Sequence, residues 1–183
     1  MLAVFYRVFL VKKIGVKAVN RTMTFHGADD QTEPWNFSWI VPGLLAGSSC
    51  PHTIENLVFF KNQGISRLIT LSPEYQPPVT NFPELQWSFI PIEEFEAPTL
   101  EDVKQFIELC EIEKEHKQAI AIHCRAGRGR TGVMAAIYLV HFFDMSPESA
   151  ITKLRLMRPG SVETYQQEKA VWEYRDYLRT KTK

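Results

Sequence analysis

Cysteine is scarce in this chain: Cys50, Cys110 and Cys124 are the only three in 183 residues, and no two form a C-x-x-C pair. So few thiols at such irregular spacing exclude a disulfide framework and a zinc-ligand pattern, which makes a reducing compartment the natural setting. An excess of charge of one sign is also lacking, because 21 Lys and Arg balance 21 Asp and Glu. No whole-chain field marks a nucleic-acid or membrane-surface binder, so recognition of an anion must rest on local clustering. Long hydrophobic runs are missing too. The most apolar stretch, Val133 to Phe143, falls short of the ~20 residues a membrane span needs and reads as a buried helix, so no stable membrane insertion is expected. Internal repeats and low-complexity tracts are absent.

The first 28 residues contain no acidic side chain but five basic ones, Arg7, Lys12, Lys13, Lys17 and Arg21. Two readings of this stretch stand side by side: a mitochondrial transit segment, or a disordered extension ahead of an internal start at Met23. The basic and apolar positions resolve into no clean helical face. Residues 1–34 are therefore read as an extension and 35–183 as one catalytic domain, long enough for a single packed core. Cytoplasmic and nuclear residence is expected, or mitochondrial residence if the extension is a transit segment. The chain is expected to be a monomer.

Along the domain, apolar runs alternate with helical patterns. Trp39 to Ala46, broken at Pro42-Gly43, reads as strand; Pro51 is expected to open a helix that Gly64 closes. Arg67–Leu71 and Trp87–Ile92 read as strands. Thr99-Leu-Glu-Asp102 has the form of a capping box, opening a helix with Val103, Phe106, Ile107 and Cys110 on one buried face. Ala119–His123 is apolar on both faces, as a central strand would be. Thr131–Phe143 is a buried helix, Ser146-Pro147 opens the next, and Glu163–Arg179 forms the last. The pattern predicts an α/β fold with a central, mostly parallel sheet flanked by helices.

Between the apolar strand and the buried helix lies Cys124-Arg125-Ala126-Gly127-Arg128-Gly129-Arg130. Seven residues with two glycines can curl until successive backbone amides point at one centre, forming an anion cradle at a helix N-terminus. A phosphoryl group fits such a cradle. Its dipoles and the Arg130 guanidinium favour a thiolate at Cys124, and that guanidinium can grip two phosphoryl oxygens as lysine cannot. Arg125 and Arg128 are either solvated loop charges or a field that reads a second anionic group. Glu163 can start the last helix as a first-turn acid.

His123-Cys124, five residues, Arg130 and Thr131 together resemble the signature of the protein tyrosine phosphatase superfamily. Asn36-Phe-Ser-Trp-Ile-Val-Pro-Gly43 and Arg158-Pro-Gly-Ser-Val-Glu-Thr-Tyr165 extend the resemblance to its small atypical dual-specificity members, over roughly Trp35 to the C-terminus. The resemblance implies the cysteine-phosphatase fold, with Cys124 as nucleophile, a phosphocysteine intermediate and Arg130 on the phosphate. It also implies a Thr131 hydroxyl that bonds the departing thiolate, and His123 orienting the Cys124 backbone. By the same resemblance Glu163 can instead lie near the loop and position a water. No metal or cofactor is implied. The family's general acid is an Asp, which this chain lacks at that place; aligning Phe95 with the helix face puts Glu94 there, with Glu93 next to it and Glu74 a more distant candidate. The implied partners are phosphorylated proteins. Basic residues at the positions of Arg125 and Arg128 are also a habit of inositol-lipid phosphatases, so an anionic phospholipid substrate is the first alternative. A phosphoprotein-binding module without turnover is the second.

Overall fold

A computed structural model describes residues 32–181 of the chain. The basic N-terminal stretch discussed above lies outside the described residues up to position 31. The first strands, β1 (Ser38–Val41) and β2 (Leu45–Ser48), form an antiparallel hairpin whose turn passes through Gly43 at φ 72°, a backbone state natural to glycine. Helix α1 (Ile54–Asn62) follows. It begins later than the sequence suggests: Thr53 caps it by accepting from the Asn56 amide while the Asn56 side chain accepts back, and Pro51 stays outside. Then come β3 (Ile65–Thr70) and β4 (Gln86–Phe89). The strand expected over Trp87–Ile92 spans Gln86–Phe89; beyond it Ile90 and Ile92 still donate to the Thr70 and Leu71 carbonyls, with Pro91 between them.

Helix α2 (Leu100–Glu115) carries the predicted Thr99–Asp102 capping box, and β5 (Ala119–His123) has the predicted bounds. Helix α3 (Gly129–Phe143) starts two residues earlier than expected, inside the glycine-rich loop. Helix α4 (Pro147–Met157) is capped by Ser146 with proline in its first turn, and α5 (Tyr165–Lys181) is the last element among the described residues. The sheet has the order β1-β2-β5-β3-β4, parallel except for the β1–β2 pair. The α/β architecture read from the sequence is thus the one the chain adopts.

Alternation along β5 shows why this strand is central. Ile120 and Ile122 face the core formed with α2 to α5, whereas Ala119 and Ala121 face a second cluster with Leu57 and Phe60 of α1. Small alanines on that side admit the aromatic rings. Helix α3 is buried from Gly129 to Val140, which accounts for its apolar circumference and fixes its N-terminus against the end of β5. Cys110 lies in the same core, 2 % exposed.

Candidate active site

The site grows from the C-terminal end of β5, where such sheets leave a crevice. Cys124 is buried, and the chain after it turns through Gly127 at φ 69°. A Cβ there would lie 2.3 Å from the Ser48 carbonyl oxygen, so only glycine fits. The carbonyls from Arg125 to Arg128 are turned outward and held there. Arg125 O accepts from the Cys50 amide (3.3 Å) and Arg128 O from the Gly132 amide (2.7 Å). Asn36 Nδ2 donates to Ala126 O (3.0 Å) and Gly127 O (3.1 Å), and Arg158 Nη2 donates to Gly127 O (2.7 Å). In a trans peptide the amide opposes the carbonyl, so the amides of Ala126, Gly127, Arg128 and Gly129 face the interior of the loop at the start of α3. That is an anion cradle.

Arg130, 3 % exposed, sits in the first turn of α3 with a guanidinium that is partly committed. Nη1 donates to Glu74 Oε2 and to Ile92 O, each at 2.9 Å, and Nη2 donates to Glu74 Oε1 at 2.5 Å. Of five N–H donors, the Nε proton and one Nη2 proton are left, both on one edge, and these form a fork for two phosphoryl oxygens. Burial would lower the Arg130 pKa, but the Glu74 hydrogen bond and the charges of Cys124, Glu74 and Glu94 outweigh it and raise it. The same hydrogen bond holds the Glu74 carboxyl below its usual range. Glu74, considered from the sequence as an acid, is therefore placed as the carboxylate that aims Arg130. We predict that Glu74→Gln lowers kcat/KM about 10–100-fold on all phosphate esters alike, because the fork loses its aim. Comparing phosphotyrosine peptide with an activated aryl phosphate checks this.

Behind the loop, His123 is fully buried with Nε2 2.7 Å from Thr70 Oγ1, which also accepts from Trp87 Nε1 at 2.9 Å. Burial pushes the His123 pKa down to about 3, only partly offset by the Cys124 backbone, so the ring is neutral near pH 7 and a weak base. Thr131 Oγ1 is buried and has no hydrogen-bond partner among the described residues, one position after Arg130. Cys50, whose amide braces the loop, has its thiol pushed up to about 11 by burial and by the charges of Cys124 and Glu74.

On the acid side, Glu94 forms an ion pair with Arg125 across the cleft. Glu93 is exposed and makes no ion pair among the described residues. The loop carrying them bends at Phe95 (φ 65°) and is pinned from the opposite side: Thr164 Oγ1 donates to Phe95 O and Gln167 Nε2 to Glu96 O, both at 3.2 Å. Thr164 and Gln167 also cap α5, so Glu163 precedes the helix. It is no first-turn acid. Its carboxylate lies against the loop instead, where a Cβ on Gly129 would come within 2.3 Å of Glu163 Oε2. Arg128 stacks over the Trp35 ring at 5.4 Å. Sequence reasoning missed Asn36 and Arg158; a polar residue at positive φ and a lone arginine before Pro-Gly are signals too common to single them out. No cluster of metal-ligating side chains occurs among the described residues.

Comparison with known proteins agrees with this geometry. The chain is 29 % identical over 175 residues to the mouse dual specificity protein phosphatase CDC14B, covering 83 % of this chain and 35 % of that protein. It thus spans about a third of the length of such relatives. Among solved structures, Tk-PTP in its active form superimposes with TM-score 0.68 at 25 % identity, over 77 % of this chain and 97 % of that one. PTPMT1 in complex with PI(5)P gives TM-score 0.72 at 17 % identity, over 80 % and 99 %. The model of the Swiss Army Knife DSP-PTPase phosphatase domain matches residues 34–171, taking in the sheet, the cradle and the loop that carries Glu94, and the chain belongs to that family of dual-specificity and protein tyrosine phosphatases.

Proposed function

We propose that the chain hydrolyses phosphotyrosine and phosphoserine or phosphothreonine in proteins through a phosphocysteine intermediate. The observation that carries this reading is the cradle itself, with four amides turned inward around Cys124 and the free edge of Arg130 beside them. The Cys124 thiolate attacks phosphorus in line. Arg125, Ala126, Gly127, Arg128, Gly129 and Arg130 line the loop that holds the equatorial oxygens as their charge develops. Glu94 gives its proton to the leaving oxygen, forming the free alcohol or phenol. In the second step a water attacks the phosphocysteine and yields its proton to Glu94 while the thiolate departs towards Thr131 Oγ1; in this reading Glu163, whose carboxylate lies against Gly129, orients that water. We also read the segments Asn36–Gly43 and Arg158–Tyr165 as resembling dual-specificity phosphatase 23, a small atypical member of the superfamily.

Protein is favoured over lipid as substrate because both extra loop arginines are already engaged, Arg125 by Glu94 and Arg128 by Trp35. A phosphoinositide reading keeps its support in the likeness to PTPMT1. Phosphate release from phosphopeptides and from phosphoinositide vesicles by one preparation separates the two. Replacing both Arg125 and Arg128 with glutamine is expected to leave phosphoinositide release no more impaired than peptide release. A selective loss of about tenfold or more on vesicles would favour the lipid substrate. Stable binding of phosphopeptide without release would instead favour the non-catalytic module.

A further inference from the structure

Arg158, which follows the last residue of α4 as its C-cap, is 3 % exposed and bonds the cradle through Gly127 O. Its Nη1 donates to Ser38 Oγ (2.5 Å) and Gly47 O (3.0 Å), and its Nη2 to Gly127 O (2.7 Å). All three acceptors are neutral, and its Nε is buried without a hydrogen bond. Buried guanidinium groups are ordinarily paired with carboxylates, since removing a cation from water costs several kcal/mol uncompensated. Here no carboxylate pairs with it among the described residues. Burial pulls its pKa down to about 10, which leaves it charged at neutral pH, and Cys124 is the one group whose charge opposes that pull. The packing leaves it little freedom, because a Cβ on Gly47 would meet Arg158 Cζ at 3.4 Å.

We propose that Arg158 is a positioning residue whose buried charge, acting through the Gly127 peptide, is balanced by the anion of the active site: the Cys124 thiolate and then the bound phosphoryl group. Nη2 polarises the Gly127 carbonyl and with it the opposing Arg128 amide, which faces the phosphate. Arg158 thus complements Arg130, which approaches the same anion from within the cleft but has Glu74 to offset part of its charge. Asn36 supplies the neutral control, since its Nδ2 holds the same Gly127 carbonyl without bringing charge. The inference rests on reading the loop as an anion site.

Orthovanadate affinity, with kcat and KM on an aryl phosphate, tests the proposal in four proteins: wild type, Arg158→Lys, Arg158→Met and Asn36→Ala. Each variant's fold is checked by circular dichroism. Arg158→Met is expected to weaken vanadate binding and kcat about 100-fold or more, the scale of losing one preorganised donor to a developing anion. Arg158→Lys keeps the charge and is expected to bind vanadate within about tenfold of wild type; Asn36→Ala, which removes two bonds to the cradle but no charge, is expected to lose less than Arg158→Met. Arg158→Lys no better than Arg158→Met would overturn the proposal, leaving a hydrogen-bonded clamp and no charge effect. So would a folded Arg158→Met that binds as wild type does. If Arg158→Met does not fold, Arg158→Lys decides: within tenfold upholds the proposal, and a greater loss in the folded protein overturns it. Failure of the wild type to bind vanadate would instead count against the cradle as an anion site.

Discussion

Cys124→Ser is expected to remove turnover, by on the order of 10⁵-fold or more, while phosphotyrosine peptide still binds. The exchange replaces sulfur by oxygen at a site only 3 % exposed, so packing changes little and the outward-held carbonyls keep the cradle in shape. What changes is the nucleophile. A serine hydroxyl is the weaker nucleophile because it stays protonated, and His123 cannot activate it, since burial depresses the basicity of the ring and its Nε2 is bonded to Thr70. Phosphate release measured beside calorimetric peptide binding separates lost chemistry from lost binding. More than about a hundredth of wild-type activity in the serine variant would exclude covalent catalysis at Cys124.

The second large effect is expected at Glu94. Glu94→Gln should lower kcat on phosphotyrosine peptides by about 10²–10⁴-fold, but much less on an aryl phosphate whose phenol is acidic and leaves without full protonation. Glu94 projects from a loop pinned by Thr164 and Gln167 on one side and by Arg125 on the other, so the isosteric amide should leave the loop in place. Glu94→Asp should keep most activity, although the shorter side chain draws the carboxyl back by about 1 Å from the leaving oxygen. Equal slowing of both substrates by Glu94→Gln would make Glu94 a structural partner of Arg125. No slowing, together with a leaving-group-dependent loss in Glu163→Gln or Glu93→Gln, would move the acid to that residue. The Glu74→Gln variant supplies the contrast, since its loss should ignore the leaving group.

Capping signals, the apolar run of β5 and the uniformly buried α3 made the order of elements legible, because each depends on neighbours within one turn or one strand. The same local logic places Cys124, two glycines and Arg130 in a strand-to-helix loop and predicts an anion cradle. Errors arose where the deciding partner was distant. Pro51 lost the start of α1 to Thr53 over two residues, but Glu163 lost its helix-start role because Thr164 and Gln167 cap α5 while reaching back to Phe95 and Glu96. Glu74, 56 residues from Arg130, becomes its orienting partner only because β3 lies beside β5. Arg158 and Asn36 reach Gly127 across 31 and 91 residues. Residue order was enough for the elements and the nucleophilic loop, since propensity, capping and the reach of seven residues are local. Which charges face one another was settled by the packed chain, because a side chain's electrostatic partners depend on distance in space, which residue spacing does not encode.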